Sequence, residues 1–164
     1  MSTTSPWRYN AQNSRERIAT DMQGYLERPI PDTFDPDEIS WVTPNLGVTD
    51  WEGAEEASLT GCYVINVAPE LEGVTDKFDN ITIGFSDFGG LGLKIALERC
   101  ANHIHNKITE NPDIRIVVHC AMGMERSPLA IAWYLHRRNR ISLDDAYKKL
   151  VDARPIVLDR RGWI

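Results

Sequence analysis

IVVHCAMGMERSPLAIAWYL, residues 116–135, runs from an apolar strand through a tight turn into a helix. It begins inside IRIVVH (114–119), the most continuous short apolar run of the chain, as expected of a strand covered on both faces. From Ser127 to Asn139 the pattern is helical, and Pro128 sits in the first turn, where its missing N–H costs nothing. Strand and helix are joined by a turn that opens on Cys120 and leads to Arg126. Ligands of α/β proteins gather at the carboxyl ends of strands. A turn there can aim successive backbone N–H groups, with a helix N-terminus behind them, at one anion. Ala121, Met122, Gly123, Met124, Glu125 and Arg126 are therefore candidate oxyanion contacts. The same field favours a thiolate, so the Cys120 thiol is expected to ionise well below its free value of about 8.5. Arg126 adds a fixed fork of donors for two oxygens, and Gly123 permits a tight turn. Ser127 can donate a hydrogen bond to the sulfur. This is chemistry for phosphate, arsenate or sulfate: in-line attack by Cys120 on phosphorus would give a cysteinyl-phosphate.

Outward from this segment, strand-like and helix-like pieces alternate. ISWV (39–42) and NLGV (45–48) read as a hairpin or two edge strands, and Trp51 to Leu59 as a short helix capped by Asp50. CYVINVA (62–68) and NITIGF (80–85) read as strands. Residues 92–109 place Leu93, Leu97, Cys100, Ile104 and Ile108 on one helical face. ISLDDAYKKLVDA (141–153) is a further helix, with Ser142 and Asp145 at capping-box spacing. The expected architecture is one α/β domain, a central mixed sheet flanked by helices, with the Cys-x5-Arg loop between a buried strand and a helix. Ahead of it, residues 14–26 suggest a short amphipathic helix. Pro29, Pro31 and Pro36 then make 27–38 an irregular arm. The reading is an N-terminal extension over 1–38 and a catalytic domain over 39–164, with the compact part starting near Ile39.

The formal charge of −6, from 24 acidic and 18 basic residues, argues against a partner met through a broad basic surface, so nucleic acid and anionic membrane are disfavoured. Three cysteines with no CxxC pair suggest no disulfide framework and a reducing, intracellular setting, with the chain soluble and cytoplasmic. No secretory h-region and no run of about 18 apolar residues is visible. His103 and His105 are spaced i, i+2 and do not share a face, so no metal is expected, nor any other cofactor. Cys62 and Cys100 read as core thiols, and Arg137, Arg138 and Arg140 as a helix-end basic run. The working expectation is a monomer.

His119-Cys120-Ala-Met-Gly-Met-Glu-Arg126-Ser127 fits HCxxGxxR[ST], and the chain resembles the cysteine-dependent protein tyrosine phosphatase superfamily, specifically its small dual-specificity branch. WVTPNLGVTD (41–50), CYVINVAPE (62–70) and residues 127–155 resemble the flanking segments, so the likeness covers about 39–155. It implies Cys120 as nucleophile, Arg126 and the loop amides on the phosphoryl oxygens, His119 orienting the loop, and Ser127 assisting breakdown of the thioenzyme. The family's general acid is an Asp on the loop following the strand before the long helix. Here that loop is GFSDFGGLG (84–92), which points to Asp87; Asp79, ahead of the strand, is the rival. The implied substrate is a phosphorylated protein or a small phosphomonoester, with phosphotyrosine and phosphoserine/threonine both admitted. Relatives acting on inositol polyphosphates or RNA 5′-triphosphates carry Lys or Arg in the variable loop positions, whereas this loop carries Glu125. The chain's end near ARPIVLDRRGWI suggests that the family's C-terminal helix is short or absent, with the 27–38 arm in its space. A phospho-residue binding module without turnover, a phosphatase of RNA ends or phosphoinositides, and a rhodanese-fold enzyme are the alternatives.

Overall fold

A computed structural model describes residues 28–85 and 90–164. The strands β1 (Ser40–Thr43), β2 (Leu46–Thr49), β3 (Tyr63–Asn66), β4 (Ile81–Thr82) and β5 (Ile116–His119) form one sheet in the order β1-β2-β5-β3-β4. β1 pairs antiparallel with β2, and every other pairing is parallel. Register places Thr49, His119 and Asn66 side by side, so three parallel strands end together at one edge. That edge is where the strand register delivers Cys120.

Side-chain alternation along the central strands explains the layers. Val64 and Val117 face α1 (Gly53–Leu59), packing with Ala54, Ala57 and Cys62. Ile65, Ile116 and Val118 face the other way, into the larger core formed with α2 (Gly90–Glu110), α3 (Arg126–Arg138) and α4 (Leu143–Ala153). α3 is the central helix of that layer: Ser127 to Leu135 are buried without a break, which is why its sequence is apolar on more than one face. The protein is a single α/β domain with a central mixed sheet flanked by helices.

The elements differ from the sequence expectation in detail. β4 is only two residues long, although Ile83 and Phe85 continue the parallel pattern by donating to the Asn66 and Val67 carbonyls. α1 starts two residues later than Trp51, and Asp50 Oδ1 accepts the Gly53 N–H at 2.9 Å, a cap through a longer turn. The Ser142 side chain accepts from Asp145 N, as the spacing predicts. Packing does not begin at Ile39. Ile30 and Phe34 lie against Met122, Met124, Ile156 and Leu158, and Arg28 donates to the Pro155 carbonyl at 2.6 Å and to that of Val157. Prolines exclude regular structure from the arm, but its apolar side chains still bury. The helix expected at 14–26 lies outside the described residues.

Candidate active site

The turn after β5 is held by its carbonyls. Cys120 O faces His119 Nδ1 at 3.3 Å, Ala121 O accepts from Trp51 N, and Met122 O and Gly123 O accept from Arg154. Met124 O accepts from Leu158 N, and Glu125 O from Leu129 N in α3. Every carbonyl from 120 to 125 thus has a protein partner. Among the described residues no peptide bond is cis, and in a trans unit C=O and N–H point in opposite directions. Each N–H of residues 121–126 therefore points away from the partner of the carbonyl that precedes it.

Arg154 dominates the carbonyl side. Fully buried, it donates from Nε to Gly123 O at 2.8 Å and from Nη2 to Met122 O at 3.1 Å. The same guanidinium donates to Pro36 O at 2.9 Å, Ser40 Oγ at 3.1 Å and Glu38 O at 3.4 Å, and it lies over the Phe34 ring. Burial pulls its pKa down, and the charges of Asp50, Cys120, Asp37 and Asp35 oppose that shift. Asp50 is pushed well above the usual carboxylate range, by burial first and then by a side-chain hydrogen bond with Asp37. Gly123 has φ of +67°, and a Cβ there would stand 2.6 Å from Arg154 Nη2. Only glycine meets both demands at this position.

At the other end of the loop the chemistry-bearing side chains converge. Cys120 is buried, with Sγ 3.1 Å from Oγ of the buried Ser127. His119 is buried behind it, with Nδ1 3.3 Å from the Cys120 carbonyl oxygen. Its Nε2 lies 2.7 Å from Asp79 Oδ1, and Asp79 Oδ2 accepts from Thr75 Oγ1 at 2.6 Å. Asp79 is thus bound to His119, with its side chain only 4% exposed. Arg126, a cation at a helix N-terminus, meets an anion there: Nη1 donates to Glu70 Oε2 at 2.7 Å and Nη2 to Glu70 Oε1. Arg126 holds the Glu70 carboxyl below its ordinary value through these hydrogen bonds. Glu125, the acidic residue of the loop, accepts from Arg160 Nε at 2.8 Å.

The structure brings Cys120 and Ser127 into contact with His119 behind them, while Arg126, at the start of α3, reaches Glu70. Asp87 lies outside the described residues. Sequence reading missed Arg154, Glu70 and the Asp79 contact with His119. Glu70 had a usable signal, standing at the carboxyl end of β3, where ligands collect; Arg154 stands out as a lone charge beside Ile156 and Val157. Asp79 had none. Among the described residues no cluster of His, Cys, Asp and Glu could hold a metal ion, and no helix is long and apolar enough to cross a membrane. The three cysteines are free, and burial pushes the Cys100 thiol up to about 12, so it is a core thiol.

With this geometry in place, comparison with known proteins is informative. Residues 53–164 match the model of the dual specificity phosphatase catalytic domain. The chain belongs to that family, the dual-specificity branch of the cysteine-dependent phosphatases. Similar relatives are the dual specificity protein phosphatases 26 of Bos taurus, 34% identical over 73% of this chain and 61% of that one, and of Homo sapiens, 32% identical over 60% and 49%. The chain therefore spans about half to three-fifths of these relatives. The fold is also that of human DUSP28, with TM-score 0.63 and 21% identity over 82% of this chain and 90% of that one. It is equally that of the human tyrosine phosphatase-like serine/threonine/tyrosine-interacting protein, with TM-score 0.64 and 13% identity over 77% and 91%.

Proposed function

We propose that this protein hydrolyses phosphomonoesters through a cysteinyl-phosphate, acting on phosphotyrosine and phosphoserine/threonine of proteins. The observation that carries the reading is the carbonyl side of the loop. With all the carbonyls from 120 to 125 engaged behind it, the amides of residues 121–126 form a set of donors fixed before any anion arrives, and such preorganisation is the main source of transition-state stabilisation in charged reactions.

In the first step the Cys120 thiolate attacks phosphorus, the P–S bond forms, and the P–O bond to the leaving group breaks. Arg126 and the loop amides hold the equatorial oxygens. Asp87 supplies a proton to the leaving oxygen. In the second step water attacks phosphorus and gives a proton to the Asp87 carboxylate, and the P–S bond breaks. Ser127, 3.1 Å from the sulfur, donates a hydrogen bond to the departing thiolate. His119, held between Asp79 and the Cys120 carbonyl, fixes the approach to the nucleophile. A loop whose one carboxylate, Glu125, is paired with Arg160 and which carries no Lys suits a singly phosphorylated end better than a polyphosphate.

The test is turnover of a generic aryl phosphate. Wild type is expected to hydrolyse it with EDTA present and to be inhibited by vanadate. Cys120→Ser is expected to lose turnover while still binding phosphate. A folded Cys120→Ser protein that keeps more than about a few per cent of the rate, or a rate restored by a divalent metal after chelation, would sink the mechanism.

A further inference from the structure

Glu70 follows β3 in a short turn at Pro69–Leu71, and it reaches Arg126 from 56 positions away. The contact is bidentate, Nη1 to one carboxylate oxygen and Nη2 to the other. Two oxygens of a phosphoryl group present the same pattern to a guanidinium as two oxygens of a carboxylate. The loop's own acidic residue, Glu125, is engaged with Arg160, so the carboxylate that meets Arg126 comes from another element of the fold. The Arg126 side chain is 17% exposed and that of Glu70 52%, so the carboxylate stands on the solvent side of the pair.

We infer that Glu70 sets the affinity of the site for oxyanions by competing with the substrate phosphoryl group for Arg126. The inference rests on the phosphatase reading above and deepens it, since it names a residue that determines how tightly the substrate is held. A dianion over Cys120 must share the guanidinium with Glu70 or displace it, and in either case it meets a like charge nearby. Whatever the pair is worth is subtracted from oxyanion binding. The consequence is a site that holds inorganic phosphate, its product, loosely. Exposure lets the displaced carboxylate turn into water, which keeps the exchange feasible.

The experiment titrates inorganic phosphate, and separately tungstate, into Cys120→Ser by calorimetry, alone and combined with Glu70→Gln, Glu70→Ala or Glu70→Asp. Glu70→Gln keeps the shape and removes the charge, and it is expected to bind both oxyanions about five- to tenfold more tightly. Glu70→Asp keeps the charge but retracts it, and should fall between. The gain should shrink as ionic strength rises. Unchanged or weaker binding in both Glu70→Gln and Glu70→Ala, with thermal unfolding showing folded protein, overturns the inference and makes Glu70 a support for Arg126. If wild type hydrolyses aryl phosphate in that case, the phosphatase reading still stands. If wild type neither turns over substrate nor binds either oxyanion, both fall.

Discussion

Arg154 and Arg126 both serve the loop from 120 to 125, and they meet different kinds of partner. Arg154 is fully buried and spends its donors on backbone carbonyls of the loop and the N-terminal arm, with Ser40 Oγ beside them. Arg126 stands near the surface and meets a carboxylate that is half-exposed. Buried carbonyls have no alternative donor, so the Arg154 contacts are permanent parts of the fold. A carboxylate beside solvent has water as an alternative, which is what the exchange proposed for the Arg126 contact requires. On the proposed reading, the same side chain is architecture in one place and chemistry in the other, and burial and partner decide which.

Removing each arginine is the sharpest way to break that contrast. Arg126→Met is expected to lower kcat/KM on an aryl phosphate by about 10²- to 10³-fold, the usual loss for a donor at the reacting oxyanion. Its stability should change by less than about 1 kcal/mol, since its partner is solvent-accessible. Arg154→Met leaves buried carbonyls and the Asp50–Asp37 pair without their cation, and should cost about 3–5 kcal/mol in urea unfolding. Comparable stability losses in the two variants would erase the distinction.

Two aspartates offer a second contrast. Asp87→Asn is expected to slow phosphopeptide hydrolysis by about 10²-fold, with a smaller loss on p-nitrophenyl phosphate, whose leaving group hardly needs the proton. Asp79→Asn disturbs the His119 contact and should show no such dependence on the leaving group. Rates plotted against leaving-group pKa for both variants decide it: a dependence that steepens only in the Asp79 variant would exchange the two roles.

The smallest effect concerns pH. Because burial raises the Asp50 carboxyl, the folded protein holds a proton there that the unfolded chain has lost, once pH exceeds the ordinary carboxylate value. Asp50 therefore contributes stability below that value, and the contribution declines as pH rises through the raised one. Asp50→Asn keeps an acceptor for the Gly53 N–H and should flatten this part of the stability profile. Urea melts from about pH 4 to about pH 8 measure the slope. An unaltered slope in the variant would remove Asp50 from the account.

What was legible in the sequence divides along similar lines. Strand, turn and helix from 116 to 138 are written in neighbouring residues, so periodicity and Pro128 place Cys120, Arg126 and Ser127 without help from the rest of the chain. The loop's supports come from far away: Arg154 is 31 positions beyond Gly123, and Asp79 is 40 before His119. An arginine bonding carbonyls leaves no pattern at the positions it supports, because any residue has a carbonyl. In the arm, three prolines speak against regular structure and so hide the burial of Ile30 and Phe34.

Arg154 has one more consequence. It bonds the arm at Pro36 and Glu38 with the same guanidinium that bonds the loop at Met122 and Gly123. One buried guanidinium thus ties the arm and the loop into a single structural unit. On the proposed reading, any coupling carried through Arg154 is reciprocal: a change at residues 28–38 that shifted oxyanion affinity would be matched by an equal effect of the oxyanion on the arm. Residues 28–38 belong in this sense to the frame that holds the loop's carbonyls.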